Sequence, residues 1–125
     1  MSHYKEHLIW WDDENKIVRL IGVGLADEPS ARWILAETER IGAEKGAGVD
    51  WLADLREITK TTSKARKILS ISSGHPSIRK FALIGASTFL KTVANFVFAA
   101  SGQKNARHFE SESEALMWLL EDRDA

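Results

Sequence analysis

The chain has 125 residues, 44% of them hydrophobic and 28% charged, with a net charge of −1 and no cysteine. That length predicts a single domain with a core of its own, and the missing cysteine excludes a disulfide framework, thiol catalysis and thiolate-held zinc. The opening, MSHYKEHLIWWDDEN, has a short apolar run that soon meets acids, which does not make a signal peptide. No stretch approaches the roughly 20 apolar residues of a membrane span, so the expectation is a cytoplasmic protein.

In chain order, HLIWW and KIVRLIGVGL are rich in β-branched and aromatic residues, and DDEN between them predicts a hairpin turn. The second of these strands is apolar on both faces, which places it inside a sheet. DEPSARWILAETERIGAEKG predicts the first helix. Asp27 caps it, Pro29 suits its first turn and Gly46 its stop. Ala31, Ile34, Leu35, Thr38 and Ile41 share its inner face, with Trp33 off that stripe. VDWLADL predicts a strand and TTSKARKILSISSG a helix with Ala65, Ile68, Leu69 and Ser72 inward, stopped by Gly74 and Pro76. IRKFALIG is a further strand. Residues 87–102 predict a third helix, apolar enough to be well buried or paired with a second subunit. NARHFES is a short last strand. SESEALMWLLED is a closing helix with Ser111 and Glu114 at capping-box spacing. Strands alternating with helices imply parallel crossovers. The expected fold is α/β: a mostly parallel sheet of about five strands with an N-terminal hairpin, covered by four helices, all in one domain over residues 1–125.

Charge is unevenly spread. Between Ile58 and Phe109 there is no acid but nine bases, while the flanks hold all 18 acids with the other eight bases. Two readings stay open: acidic outer elements neutralise the middle, or a basic face attracts an anionic partner. Lys60, Lys64, Arg66 and Lys67 would form the core of such a face.

Little in the chain points to catalysis. His3, His7, His75 and His108 have no metal-ligand spacing, and neither a Walker loop nor a GxGxxG occurs. Neither a metal nor a cofactor is implied, and the expectation is a protein that is not an enzyme. GVGLAD and IGAST are glycine-bearing turns between strand and helix. In the second, Gly85, Ser87 and Thr88 stand where helix N–H groups can meet an anion or serve only as a cap. Aromatic residues are not interleaved with the bases, which argues against a nucleic-acid groove.

The stretch DLREITKTTSKARK sets an acid, Asp54, at a strand end and a hydroxyl cluster, Thr61, Thr62 and Ser63, at a helix start. This arrangement resembles the STAS-like fold of the bacterial anti-sigma-factor antagonists, and the resemblance runs from about Lys16 to Leu120. In that family a strand ends in Asp-Leu, a loop follows, and a serine opens the next helix. The resemblance implies a phosphorylation switch at Ser63 whose phosphate blocks docking onto an anti-sigma or kinase-like regulator. The family's Asp-Ser followed by a small residue and glycine is replaced here by Thr62-Ser63-Lys64-Ala65. SKARKIL and NARHFESESEALMWL are more similar to a poorly characterised bacterial branch, for which the resemblance implies a fold and no established activity. The leading expectation is therefore a non-catalytic regulatory or protein-interaction module, with at least two of the three hydroxyls acting as caps. The alternative is a lipid- or nucleotide-binding domain of the same fold. A homodimer through Leu90, Ala94 and Phe98 on the third helix is a further expectation.

Overall fold

The computed structural model describes residues 1–46, 48–85 and 105–123. Its elements are β1 (Ser2–Tyr4), β2 (His7–Asp12), β3 (Ile17–Ala26), α1 (Glu28–Lys45), β4 (Val49–Thr61), α2 (Ser63–Ser73), β5 (Ile78–Ile84), β6 (Ala106–Phe109) and α3 (Glu112–Leu120). The six strands form one sheet in chain order. β1 to β3 pair antiparallel and β3 to β6 pair parallel. The α/β pattern is thus the expected one, with one strand more than anticipated and three helices among the described residues. The expected third helix, 87–102, lies outside them.

The extra strand is β1. It turns into β2 through Lys5, whose φ of 52° is one that residues other than glycine and asparagine rarely adopt. Tyr4 on β1 stacks on Trp33 of α1 with ring centroids 6.0 Å apart, so Trp33 covers a neighbouring strand.

Local signals account for the helix ends. The Asp27 carboxylate accepts the Ser30 N–H at 3.1 Å, and Ser111 accepts the Glu114 N–H at 3.3 Å. α1 and α2 lie on one face of the sheet, where Ile34 and Ile41 pack into a cluster with Val18, Leu20, Trp51, Ala53 and Leu83. α3 lies on the other face, where Ala115 and Leu119 meet Ile17, Leu52, Ala82 and Ile84.

β4 is nearly twice as long as VDWLADL predicts. Its pairing with β5 ends at Asp54 opposite Ile84, but it continues beside β3 until Thr61 meets Ala26. GVGLAD is therefore mostly strand instead of a turn. β3 bulges between Ile21 and Val23 and again between Gly24 and Leu25. Gly24 has φ 74°, which a glycine enters without a Cβ clash. Gly22 is needed for closeness, because a Cβ there would lie 2.9 Å from Ile58 Cδ1. Buried His7 closes the bulge from β2: its Nδ1 accepts the Val23 N–H and its Nε2 donates to the Leu25 carbonyl, both at 3.1 Å. One accepting and one donating nitrogen is the pattern of a neutral imidazole.

At the opposite end, where the parallel strands begin, Asp50 is 2% exposed and holds two guanidinium groups. Arg79 grips both its oxygens at 2.8 Å, and Arg123 donates to Oδ2 at 2.7 and 3.1 Å. Arg79 also reaches the Leu119 carbonyl, and Arg123 the Asn15 and Lys16 carbonyls. This cluster ties β4, β5, the β2–β3 turn and the end of α3 together.

Candidate functional site at the strand ends

The site begins with the three hydroxyls that follow β4. Thr62 has extended backbone and is the N-cap of α2, its Oγ1 accepting the Ala65 N–H at 3.1 Å. Thr61 points its hydroxyl inward: Oγ1 is buried and has no hydrogen-bond partner among the described residues. Ser63 is the first helical residue, exposed, and its Oγ accepts a bond of 3.1 Å from Arg66 Nη2. Each hydroxyl thus has a different setting, and one of the three caps the helix.

Asp54 is partly buried at the level where β5 ends. Its carboxylate accepts from Arg56 through Nε at 3.0 Å, Nη2 at 2.6 Å and the backbone N–H at 3.1 Å. Burial alone would raise this carboxyl, but the Arg56 bonds and charge outweigh it and hold the group below its ordinary value. Asp54 and Ser63 share the C-terminal end of the sheet. The strand 55–61 lies between them, on the order of 20 Å of extended chain. Asp54 is therefore engaged by Arg56 and Ser63 by Arg66, with no direct contact between the two.

The basic stretch divides in two. Lys60, Lys64 and Lys67 are exposed around the start of α2 beside half-buried Arg66. Lys64 stands 3.6 Å from Glu28 of α1, while Lys60 and Lys67 make no ion pair among the described residues. The others serve the scaffold. Arg79 binds Asp50, and Lys80 donates to the Trp118 carbonyl at 2.7 Å, where a cation suits the C-terminal pole of α3. Arg107 lies over the Trp118 ring at 5.4 Å. Lys91 and Lys104 lie outside the described residues.

Beneath the hydroxyl cluster, α1, α2 and the sheet border a partly open cavity of about 90 Å³. Its lining includes Thr61, Ile58, Trp51, Leu69, Leu83 and Gly85 and, among the described residues, contains no Asp, Glu, Lys or Arg. Sequence reasoning did not find this cavity; the one available signal was the small, apolar character of Ala26 and Ala53 in its lining.

Of the expected ligand turn, Gly85 is buried and its carbonyl accepts from His108 Nε2 at 2.9 Å. Ser87 and Thr88 lie outside the described residues, as do Leu90, Ala94 and Phe98 of the expected dimer patch. His75 Nδ1 faces the Ser77 hydroxyl at 2.8 Å in a turn, so His7, His75 and His108 all bond to the chain's own turns and strands. Among the described residues no cluster of three His, Asp or Glu stands ready for a metal ion, and no helix is long and apolar enough to cross a membrane.

An antiparallel hairpin leading into a four-stranded parallel sheet, with α2 starting at the end of an overlong β4, defines a SpoIIAA-like α/β domain. Two solved structures share this fold. One is an uncharacterized protein from the DUF3478 family with a SpoIIAA-like fold from Shewanella loihica PV-4, with TM-score 0.66 and 18% identity over 95% of this chain and 98% of that one. The other is the anti-sigma factor antagonist SpoIIAA in its unphosphorylated form, with TM-score 0.58 and 13% identity over 89% of this chain and 94% of that one. The chain belongs to the DUF7793 family, described as a domain of unknown function, which matches residues 26–122. The comparison with curated proteins finds no match.

Proposed function

We propose that this domain is a non-catalytic regulatory module that docks onto a protein partner through the strand-end surface around α2, with Ser63 as its phosphorylation switch. One observation carries this reading: Thr62, not Ser63, caps α2, so the exposed Ser63 hydroxyl is not needed to close the helix end. A phosphate there adds roughly −1.5 to −2 charge. It would sit at a helix N-terminus beside Arg66, Lys64, Lys60 and Lys67, converting a basic docking surface to a neutral or acidic one. The likeness to an anti-sigma factor antagonist supports an anti-sigma or kinase-like regulator as the partner class. Among the described residues the bases of this stretch fall into two groups, which argues against nucleic acid, since it needs a continuous track of cations.

The test is site-resolved mass spectrometry of the protein from its native cells, with paired capture experiments on wild type, Ser63→Ala and Ser63→Glu. Phosphate on Ser63 and a partner retained by Ser63→Ala but lost by Ser63→Glu are the expected results. Absence of phosphate together with identical partners for all three would overturn the switch.

The cavity favours a second reading, a small-ligand binding domain. With no Asp, Glu, Lys or Arg in the lining among the described residues, it suits neither a nucleotide nor a charged lipid headgroup.

A further inference from the structure

We infer that the bare half of the sheet face carrying α3 is a pairing surface for a second copy of this chain, seated by the outer ridge of α3 about a two-fold axis. The face itself is the first observation. Side chains alternate along a strand, so Leu8, Trp10, Ile21 and Val23 of β2 and β3 share the face of Arg19, which reaches Glu112 of α3. These four are half-buried, and Leu25 at the end of the row is 44% exposed. None of the five belongs to a core cluster among the described residues. α3 packs over β4 to β6, and the cluster beneath it takes only Ile17 from the hairpin among the described residues. A sheet with an apolar face buries it against another element, and a bare one marks an interaction site.

The second observation is the ridge. α3 turns Ala115 and Leu119 inward, while Met117 is 70% and Leu120 41% exposed. This face of the sheet therefore has two levels, a raised half carrying α3 and a lowered half that is bare. Such a step is complementary to itself. A two-fold axis along the strands, between β3 and β4, sets each raised half into the other copy's lowered half, an isologous contact. That axis keeps heights along the strands. Met117 lies between Ala115 and Leu119, at the level of Leu52; Leu52 stands opposite Arg19, and Arg19 opposite Trp10. Met117 of one copy thus comes over Trp10 of the other, a favourable sulfur–aromatic contact.

Charge and area agree with this pairing. Arg19 and Glu112 flank the axis, and the two-fold brings the same pair from the second copy against them in reverse order, so each cation meets an acid. The cost falls at the rim, where Glu121 and Asp122 approach Asp13 and Glu14 of the other copy. All four are exposed, and salt screens them. Three strands about 4.8 Å apart and about 20 Å long give roughly 300 Å² of plan area for each half, hence roughly 600 Å² per copy, near the roughly 800 Å² of accessible surface that each partner gives to a standard interface. α2 lies on the opposite face of the sheet, so pairing leaves Ser63 open in both copies.

The test is sedimentation velocity of the full chain from about 1 μM to about 1 mM, with Met117→Glu, Trp10→Lys and an equimolar mixture of the two variants. Wild type should dimerise within that range. Each variant alone should associate at least about ten-fold more weakly, because its homodimer buries an unpaired charge at both contacts. The mixture should pair more tightly than either variant alone. One of its two ridge contacts is native, and in the other the introduced acid meets the introduced base. A strict monomer throughout overturns the proposal and leaves the face to a different protein. A dimer that neither variant weakens uses another surface and overturns it equally, as does a mixture no tighter than its components. Ile21→Lys takes the place of Trp10→Lys if circular dichroism shows the latter unfolded.

Discussion

Replacing Asp50 with alanine removes the one carboxylate that holds both Arg79 and Arg123. Asp50 is 2% exposed, and the two arginine side chains are 30% and 26% exposed. Breaking a buried ion pair from one side costs about 3–5 kcal/mol, because the remaining charge is stranded. Here both guanidinium groups keep some water and at least one backbone carbonyl, which argues for the low end, about 3 kcal/mol. Set against a total stability of roughly 5–15 kcal/mol for a single domain, that is a large fraction. At this chain length it corresponds to a fall in Tm of about 10 °C. Urea and thermal unfolding at neutral pH, followed by circular dichroism, measure it. Arg123→Ala and the double variant complete a cycle, in which a coupling of at least about 1 kcal/mol is expected between the two sites. A loss below about 1 kcal/mol for Asp50→Ala, with no coupling, would refute the view that this cluster locks the strand starts to α3.

Acid should reveal a second ion pair. Asp12, bonded first by the Asn15 amide and then by Arg19, has its carboxyl lowered from 3.8 to about 2. Its folded value lies below its unfolded one, so its contribution is complete above about pH 4 and is lost as pH falls toward 2. After allowance for solvent screening this is about 1 kcal/mol, seen as a stability gap between wild type and Asp12→Asn at pH 6 that closes at pH 2. Thr62→Ala should cost about 1 kcal/mol as a lost N-cap, while Ser63→Ala should leave chemical denaturation within about 0.5 kcal/mol of wild type; equal losses would contradict the division of labour between them. His7→Ala should cost about 2–3 kcal/mol, because it strands the Val23 N–H and Leu25 carbonyl and opens a void, and amide exchange at Val23 should rise in step. Gly24→Ala should destabilise by about 1–2 kcal/mol through its positive φ alone, since nothing lies near an added Cβ.

What could be read from the residues followed the range over which the forces act. The ends of α1, α2 and α3 were legible because a cap involves neighbours only three residues apart, as Asp27 and Ser30 show. The core stripe of α1 was legible for the same reason. β1 was not, since its turn places Lys5 at positive φ without a glycine or asparagine to announce it. The length of β4 was hidden because Arg56, Glu57, Thr59 and Lys60 are exposed and polar. Only pairing with the bulged end of β3 keeps them extended. The hydroxyl cluster was recognisable as a helix start, but which member caps depends on where β4 stops. Asp50 carried no local hint at all: its partners lie 29 and 73 residues away.

The grip of Arg123 on the Asn15 and Lys16 carbonyls spans 108 and 107 residues. During synthesis the hairpin of β2 and β3 can form as soon as it emerges, yet the clasp that seats the β2–β3 turn against β4 must wait until Arg123 has been added more than a hundred residues later. Such distant closures slow the final step of folding and prolong exposure of unpaired strands. A ribosome stalled before Arg123 would therefore carry a nearly complete sheet whose first turn is still unfastened.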